Sequence, residues 1–368
     1  MNILINAHNW FLQRKNQVKW KEQYFHASRF LRILVRDELI VLFHQLHLEP
    51  VYLLKQVWHD FSKQVITGKL SDQMNDFMQE LIARKLFIND ESIDERELHK
   101  ARMNTLQVLN RPTILYLMMA QGCNFACTYC PIPVLAKQYG ESLLSFEDAV
   151  AGINLWQKHI KDQPKDDEPY FLIFYGGEPL LNQRVLEQLL PYISSKQSAG
   201  QLPEKLNLML CTNGSLINKR LSKLFAQYKV MVSIGIDGPQ DHNDRVRITT
   251  DGKSTFTEIE QAIKLLVNNG ICVVASVTIT PMNIYQLAKY PAFLRNLGIS
   301  QFGFNLMRGK ALSHELNGVS IEEYCQMAAR GVVQGLSGIT KDERCFEYQL
   351  EKKLTALHNS LPFSVDCT

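Results

Sequence analysis

Three cysteines, Cys123, Cys127 and Cys130, lie at CxxxCxxC spacing in "GCNFACTYC", directly after the apolar run "TILYLMMA". Three thiolates can hold a cubane iron-sulfur cluster by three of its irons and leave the fourth free for an outside ligand, whereas a cluster with four protein thiolates has no such vacancy. A closed zinc site wants four ligands and a disulfide framework an even number. Spacing alone leaves two other readings open. One is a zinc site completed by a distant residue such as Cys211, and the other is a chance clustering of buried cysteines, which pack as small hydrophobes.

Other stretches also carry chemistry. In "FYGGEPLL" the adjacent Gly176 and Gly177 permit close backbone approach to a ligand, and Glu178 can accept hydrogen bonds from a cationic amine. "CTNGSLI", with Asn213, has a turn signature. "SIGIDGPQDHNDRVR" places Gly235 and Asp237 ahead of Arg247, whose guanidinium fork suits a carboxylate. His44 and His47 in "FHQLH" have no spacing that names a function, and neither an HExxH motif nor a P-loop occurs.

The elements that must position these residues follow from periodicity. From about residue 113, six β-rich runs ("TILYLMMA", "YFLIFY", "LNLMLCT", "VMVSIGID", "ICVVASVTI", "QFGFNLM") alternate with stretches long enough for crossover helices, which predicts a parallel α/β sheet. Polar and glycine signals follow the strand ends, where such folds bind ligands. Before residue 108, "RFLRILV" and "ELIVLFHQL" precede two amphipathic helices. Leu54, Val57, Trp58, Phe61 and Val65 share one face of the first; Met74, Phe77, Met78, Leu81 and Ile82 share one face of the second. Ser71 is the expected N-cap of that second helix, and "KLFIND" the strand after it. This pattern predicts a small winged-helix-like domain over residues 1–108, or else a helical adornment of the main domain, followed by the main domain over 109–335. Residues 336–368 are expected to form a helix and a tail.

The whole chain, 368 residues with 46% hydrophobic and 21% charged residues, has the composition of a globular protein. Its net charge of +3 is spread without basic blocks, which argues against nucleic acid or a membrane surface as partner. No signal peptide or long apolar span is legible, so a cytoplasmic protein is expected, with its eight cysteines reduced.

The cysteine motif with Tyr129 before its last thiol, "GGEP" after the second strand and "IDGPQDHNDRVR" after the fourth together resemble the radical S-adenosylmethionine (SAM) superfamily. The likeness is to the SPASM-type subfamily of peptide maturases and anaerobic sulfatase-maturating enzymes, and it covers roughly residues 108–310. It implies a partial (β/α)6 TIM-like barrel, a 4Fe-4S cluster on Cys123, Cys127 and Cys130, and SAM chelating the free iron. It further implies that Gly176, Gly177 and Glu178 bind the SAM amine, that Asn213 lines the cavity and that Arg247 binds the SAM carboxylate. Gly235 stands where the pattern has a ribose-binding serine, and Asn243 where it has histidine, so another group is expected to make the ribose contact. The implied activity is hydrogen abstraction from a peptide or protein side chain by a 5'-deoxyadenosyl radical. Implied partners are a ribosomally made peptide with a leader, held by the N-terminal module, and an external electron donor. The chain ends where the subfamily's cysteine-rich SPASM region would start, which leaves a non-catalytic peptide-binding remnant as an alternative and a catalytic base unassigned.

Overall fold

The structure, a computed structural model, describes residues 17–36, 38–47, 49–109, 112–161, 169–307, 319–337 and 346–348. These fall into two compact units, one up to residue 109 and one from residue 112 onward.

In the first unit, β1 (Val18–Trp20) and β2 (Gln23–Ala27) form an antiparallel hairpin. A second antiparallel sheet holds β3 (Leu31–Arg36), β4 (Leu39–His44) and β5 (Val51–Leu54), with β4 in the middle. The strand expected in "KLFIND" is β6 (Phe87–Ile88), which pairs with β2. Helices Lys55–Thr67 and Asp72–Ala83 bury Trp58, Phe61, Val65, Met74, Met78 and Leu81 in one cluster with Ile40, Leu42, Leu53 and Phe87. Two details depart from expectation. Leu54 is 59% exposed, because it is the last residue of β5 and follows the strand's alternation (Val51 in, Tyr52 out, Leu53 in) instead of the helical period. Ser71 occupies the N-cap position, but its hydroxyl caps nothing; its amide donates to Gln64 Oε1 and its carbonyl accepts from Asn75.

The second unit is a partial α/β barrel. Its strands are β7 (Ile114–Ala120), β8 (Tyr170–Gly176), β9 (Leu206–Thr212), β10 (Met231–Gly235), β11 (Val273–Ile279), β12 (Gln301–Leu306) and the short β13 (Phe346–Glu347). They lie side by side in sequence order and every pairing is parallel, as the six apolar runs predict. One strand face packs on the helices: Leu117, Leu172, Phe174, Leu210, Val232, Ile234, Ala275 and Phe302 are buried in a core with Ile153, Leu189, Phe225 and Ile263. The other face carries half-buried or exposed residues, among them Tyr116, Met118, Tyr175, Cys211, Ser233, Ser276 and Asn305. That split is what a barrel with helices outside and a ligand cavity inside requires. Of the helix and tail expected over 336–368, only residues 336–337 and 346–348 are described, and they end a helix, Ile321–Ser337, and form β13. The rest lies outside the described residues. Among the described residues, no helix is long and apolar enough to cross a membrane.

Candidate active site

The cysteine loop leaves β7 at its carboxyl end and is stitched to the segment after helix Gln240–Val246. Ala126 N donates to Ile248 O at 2.8 Å and Thr128 N to Val246 O at 2.9 Å. This pairing brings Cys127 and Cys130 close enough to Arg247 to feel its charge. The three thiols are free and half-buried. Burial pushes Cys127 up to about 12, with Arg247 pulling the other way, and it raises Cys123 and Cys130 too.

The glycines of "GGEP" lie close against the protein's own backbone. A Cβ on Gly176 would overlap Ala120 O, and one on Gly177 would overlap Gly122 O. The absence of side chains lets Gly177 N donate to Ala120 O and Glu178 N to Gly122 O, both at 2.9 Å. The turn is thereby fastened to the start of the cysteine loop. Glu178 itself is fully buried and turned inward. Its Oε1 accepts from Leu180 N at 2.9 Å and Thr212 Oγ1 at 2.7 Å, and its Oε2 accepts from Asn213 N at 2.8 Å. Burial raises its pKa, and these three hydrogen bonds work against that rise. A carboxylate has about four lone-pair sites, so three of them are used within the protein, two to clamp the end of β9 and one by Glu178's own turn.

Asn213, placed by that clamp, directs Nδ2 toward Cys123 Sγ at 3.7 Å and toward Asn124 Oδ1 at 2.8 Å, while Oδ1 accepts from Ser215 N and Oγ. Amide donors to a ligating sulfur are a recognised means of tuning a cluster.

Asp237 is the hub of the other half of the site. Completely buried, it accepts Thr278 N on Oδ1 at 2.7 Å, and on Oδ2 both Tyr129 Oη at 2.6 Å and Arg247 Nε at 2.8 Å. Burial opposes the Arg247 charge, but Asp237 more than offsets it and the guanidinium is held above its ordinary value. Burial likewise holds the Tyr129 phenol well above its ordinary value. The guanidinium lies over Gly235, where an added Cβ would stand 2.5 Å from Nη1 and 2.6 Å from Nη2. Among the described residues no hydrogen-bond partner takes either Nη group.

Further residues, among them Asn283 and Tyr290, which the sequence does not single out, complete this arrangement. Asn283 donates Nδ2 to Asp237 O and Thr278 O; Tyr290 Oη donates to Asp237 O and meets His242 Nδ1 at 3.0 Å. Asn243, in the place of the pattern's histidine, accepts Asp237 N, and Asp244 Oδ1 accepts Thr255 N and Phe256 N at the start of helix Phe256–Asn268. The asparagine-after-strand signal of Asn283 is too common to stand out. Cys211 faces the cavity with its thiol raised by burial to about 11. Among the described residues no three His, Cys, Asp or Glu come together closely enough to hold one metal ion. A closed zinc site needs such a group, whereas a cubane takes each thiolate on a different iron and tolerates wider separation.

Comparison with known proteins agrees with this geometry. Residues 117–287 match the radical SAM superfamily model. The chain is similar to the radical SAM cyclopropyl synthase TigE of Paramaledivibacter caminithermalis, 24% identical over 76% of this chain and 62% of that protein. It also resembles the cysteine-type anaerobic sulfatase-maturating enzyme of Clostridium perfringens (strain 13 / Type A), 29% identical over 49% of each chain. The chain thus spans less than two thirds of either relative. Among solved structures, native anSMEcpe with bound AdoMet superposes with TM-score 0.55 at 20% identity, covering 68% of this chain and 67% of that one. The form with AdoMet and the Cp18Cys peptide fits equally well, at TM-score 0.55. The cofactors of the superfamily are a 4Fe-4S cluster and SAM, and the residues present fit both: three unbridged thiols on one loop and, beside them, a buried guanidinium with two nitrogens that have no partner among the described residues. From the cysteine loop on β7 to the Asp237–Arg247 pair beyond β10, the site lies within the residues, 117–287, that match the radical SAM superfamily.

Proposed function

We propose that the protein is a radical SAM enzyme that modifies a peptide or protein side chain, with Cys123, Cys127 and Cys130 as cluster ligands and Arg247 as the partner of the SAM carboxylate. The observation that carries this reading is the pairing of the cysteine loop with residues 246–248, which sets a tethered guanidinium beside the thiols. Cys123, Cys127 and Cys130 would hold the cluster and Arg247 the SAM carboxylate, and the bound pair would supply the radical chemistry that removes a substrate hydrogen.

The chain's own contribution is positioning. Asp237 and Tyr129 fix the plane of the Arg247 guanidinium, so that Nη1 and Nη2 are presented to a carboxylate as a fork. Glu178 holds the end of β9 and so aims the Asn213 amide at Cys123. The peptide substrate class is supported by the superposed enzyme that was solved with a peptide, and by a first unit with two sheets. Its β3 and β5 are outer strands of the second sheet, and an extended leader would add to such an edge through main-chain hydrogen bonds. An electron donor outside the chain completes the scheme.

Anaerobic reconstitution with iron and sulfide tests the proposal. About four irons per chain and SAM-derived 5'-deoxyadenosine are expected from the parent, and neither from the Cys123→Ala, Cys127→Ala, Cys130→Ala triple variant. A full iron complement and cleavage in that variant would refute the assignment.

A further inference from the structure

We propose that the Ser276 hydroxyl, oriented by Asn305, binds the SAM ribose; this rests on the SAM-binding reading above. The parallel register places Gly235, Ser276 and Gly303 on one rung of the sheet, all on the cavity side. The rung therefore carries a single side chain. At one end the Arg247 guanidinium lies where a Gly235 side chain would be, and at the other the Tyr348 ring occupies the corresponding place over Gly303. The result is a trough with a cation at one wall, a hydroxyl on its floor and an aromatic ring at the far wall. SAM has the matching order of groups, with its carboxylate at one end, its ribose diol in the middle and its adenine at the other end.

The hydroxyl is prepared for such a contact. Asn305, one rung further along β12, donates Nδ2 to Ser276 Oγ at 2.9 Å. That bond occupies a lone pair and leaves the O–H to donate, and among the described residues no group accepts it. A ribose hydroxyl can accept that proton. A serine at position 235 has no room beside Arg247, so the hydroxyl on the neighbouring strand is the nearest one on this rung.

The test is equilibrium binding to the reconstituted full chain, parent and Ser276→Ala, of SAM and of its 2'-deoxy and 3'-deoxy analogues. Circular dichroism and iron content are measured on the same samples and are expected to match between parent and variant. Loss of one hydrogen bond should weaken SAM binding roughly 2- to 10-fold. The difference between parent and variant should vanish for the analogue that lacks the contacted hydroxyl. Equal SAM affinities in parent and variant, or a penalty that persists undiminished with both analogues, would overturn this inference while leaving the SAM-binding reading intact. Failure of the parent to bind SAM at all would overturn both.

Discussion

Asp237 gives Arg247 a structural role beside the SAM-binding one proposed for it. Removal of the guanidinium would strand a carboxylate that is completely buried and keeps only the Tyr129 hydroxyl and the Thr278 amide. Breaking a buried pair from one side costs about 3 to 5 kcal/mol, so Arg247→Ala is expected to lower unfolding stability in urea by about that amount, besides losing SAM affinity. Unchanged stability would mean that the pair is relaxed by water in solution. Gly235→Ser reaches the same guanidinium more gently, since its side chain would enter the space 2.5 Å from Nη1. The variant restores the residue of the family pattern, yet it is expected to bind SAM more weakly than the parent; tighter binding would show that Arg247 moves aside freely. Glu178 teaches a related lesson. The sequence marks "FYGGEP" as a site, but which way the carboxylate points depends on Thr212 and Asn213, some 35 residues along the chain. Glu178→Gln keeps the shape but puts an amide donor where an acceptor is needed. About 1 to 3 kcal/mol of stability should be lost, with the iron complement intact if the residue clamps β9 and does not ligate.

At the scale of elements, the parallel strands are legible because each is a short apolar run bounded by turn residues, and burial on the helix side enforces the pattern. Leu54 shows where that logic stops: a junction residue belongs to two periods at once, and the strand's wins. The histidines of β4 and its turn were equally opaque from sequence. His44 is 1% exposed, its Nδ1 accepts Leu46 N at 3.2 Å, its ring lies 4.4 Å from that of His47, and its buried Nε2 has no hydrogen-bond partner among the described residues. Burial, reinforced by the nearby His47 and Lys85 and opposed by Asp94 and Glu97, lowers its pKa to about 4. Between that value and the ordinary 6.5 the unfolded chain binds a proton that the folded chain refuses. Stability contributed by neutral His44 is therefore complete above pH ~6.5 and is lost as the pH falls toward ~4. The full effect is on the order of 3 kcal/mol. Urea unfolding at pH 7 and pH 4.5 should show a steeper loss for the parent than for His44→Phe. An equal loss in both would place the acid sensitivity elsewhere.

For the molecule as a whole, the question is whether the first unit is a domain in its own right. Its cluster is closed, with Leu42, Trp58, Phe61, Met78, Leu81 and Phe87 all 1% exposed or less. Burial of this kind supports separate folding, although a segment near 100 residues buries a smaller share of its surface than a larger domain and is expected to reach only about 5 kcal/mol. Residues 1–108 expressed alone should therefore give a cooperative urea transition and a circular dichroism spectrum of mixed helix and sheet. The same fragment should bind a small peptide encoded beside its gene, because an outer strand such as β3 or β5 supplies main-chain donors and acceptors without help from the barrel. Proline substitutions along that peptide should weaken binding at alternate residues only, since in an extended segment every second amide faces the protein edge and the others face solvent. Binding that is insensitive to proline would exclude strand addition. A fragment that folds but ignores such peptides would leave substrate choice to the barrel cavity, between the aromatic pair Tyr116–Tyr175 on one side and the polar Ser276–Asn305 pair on the other.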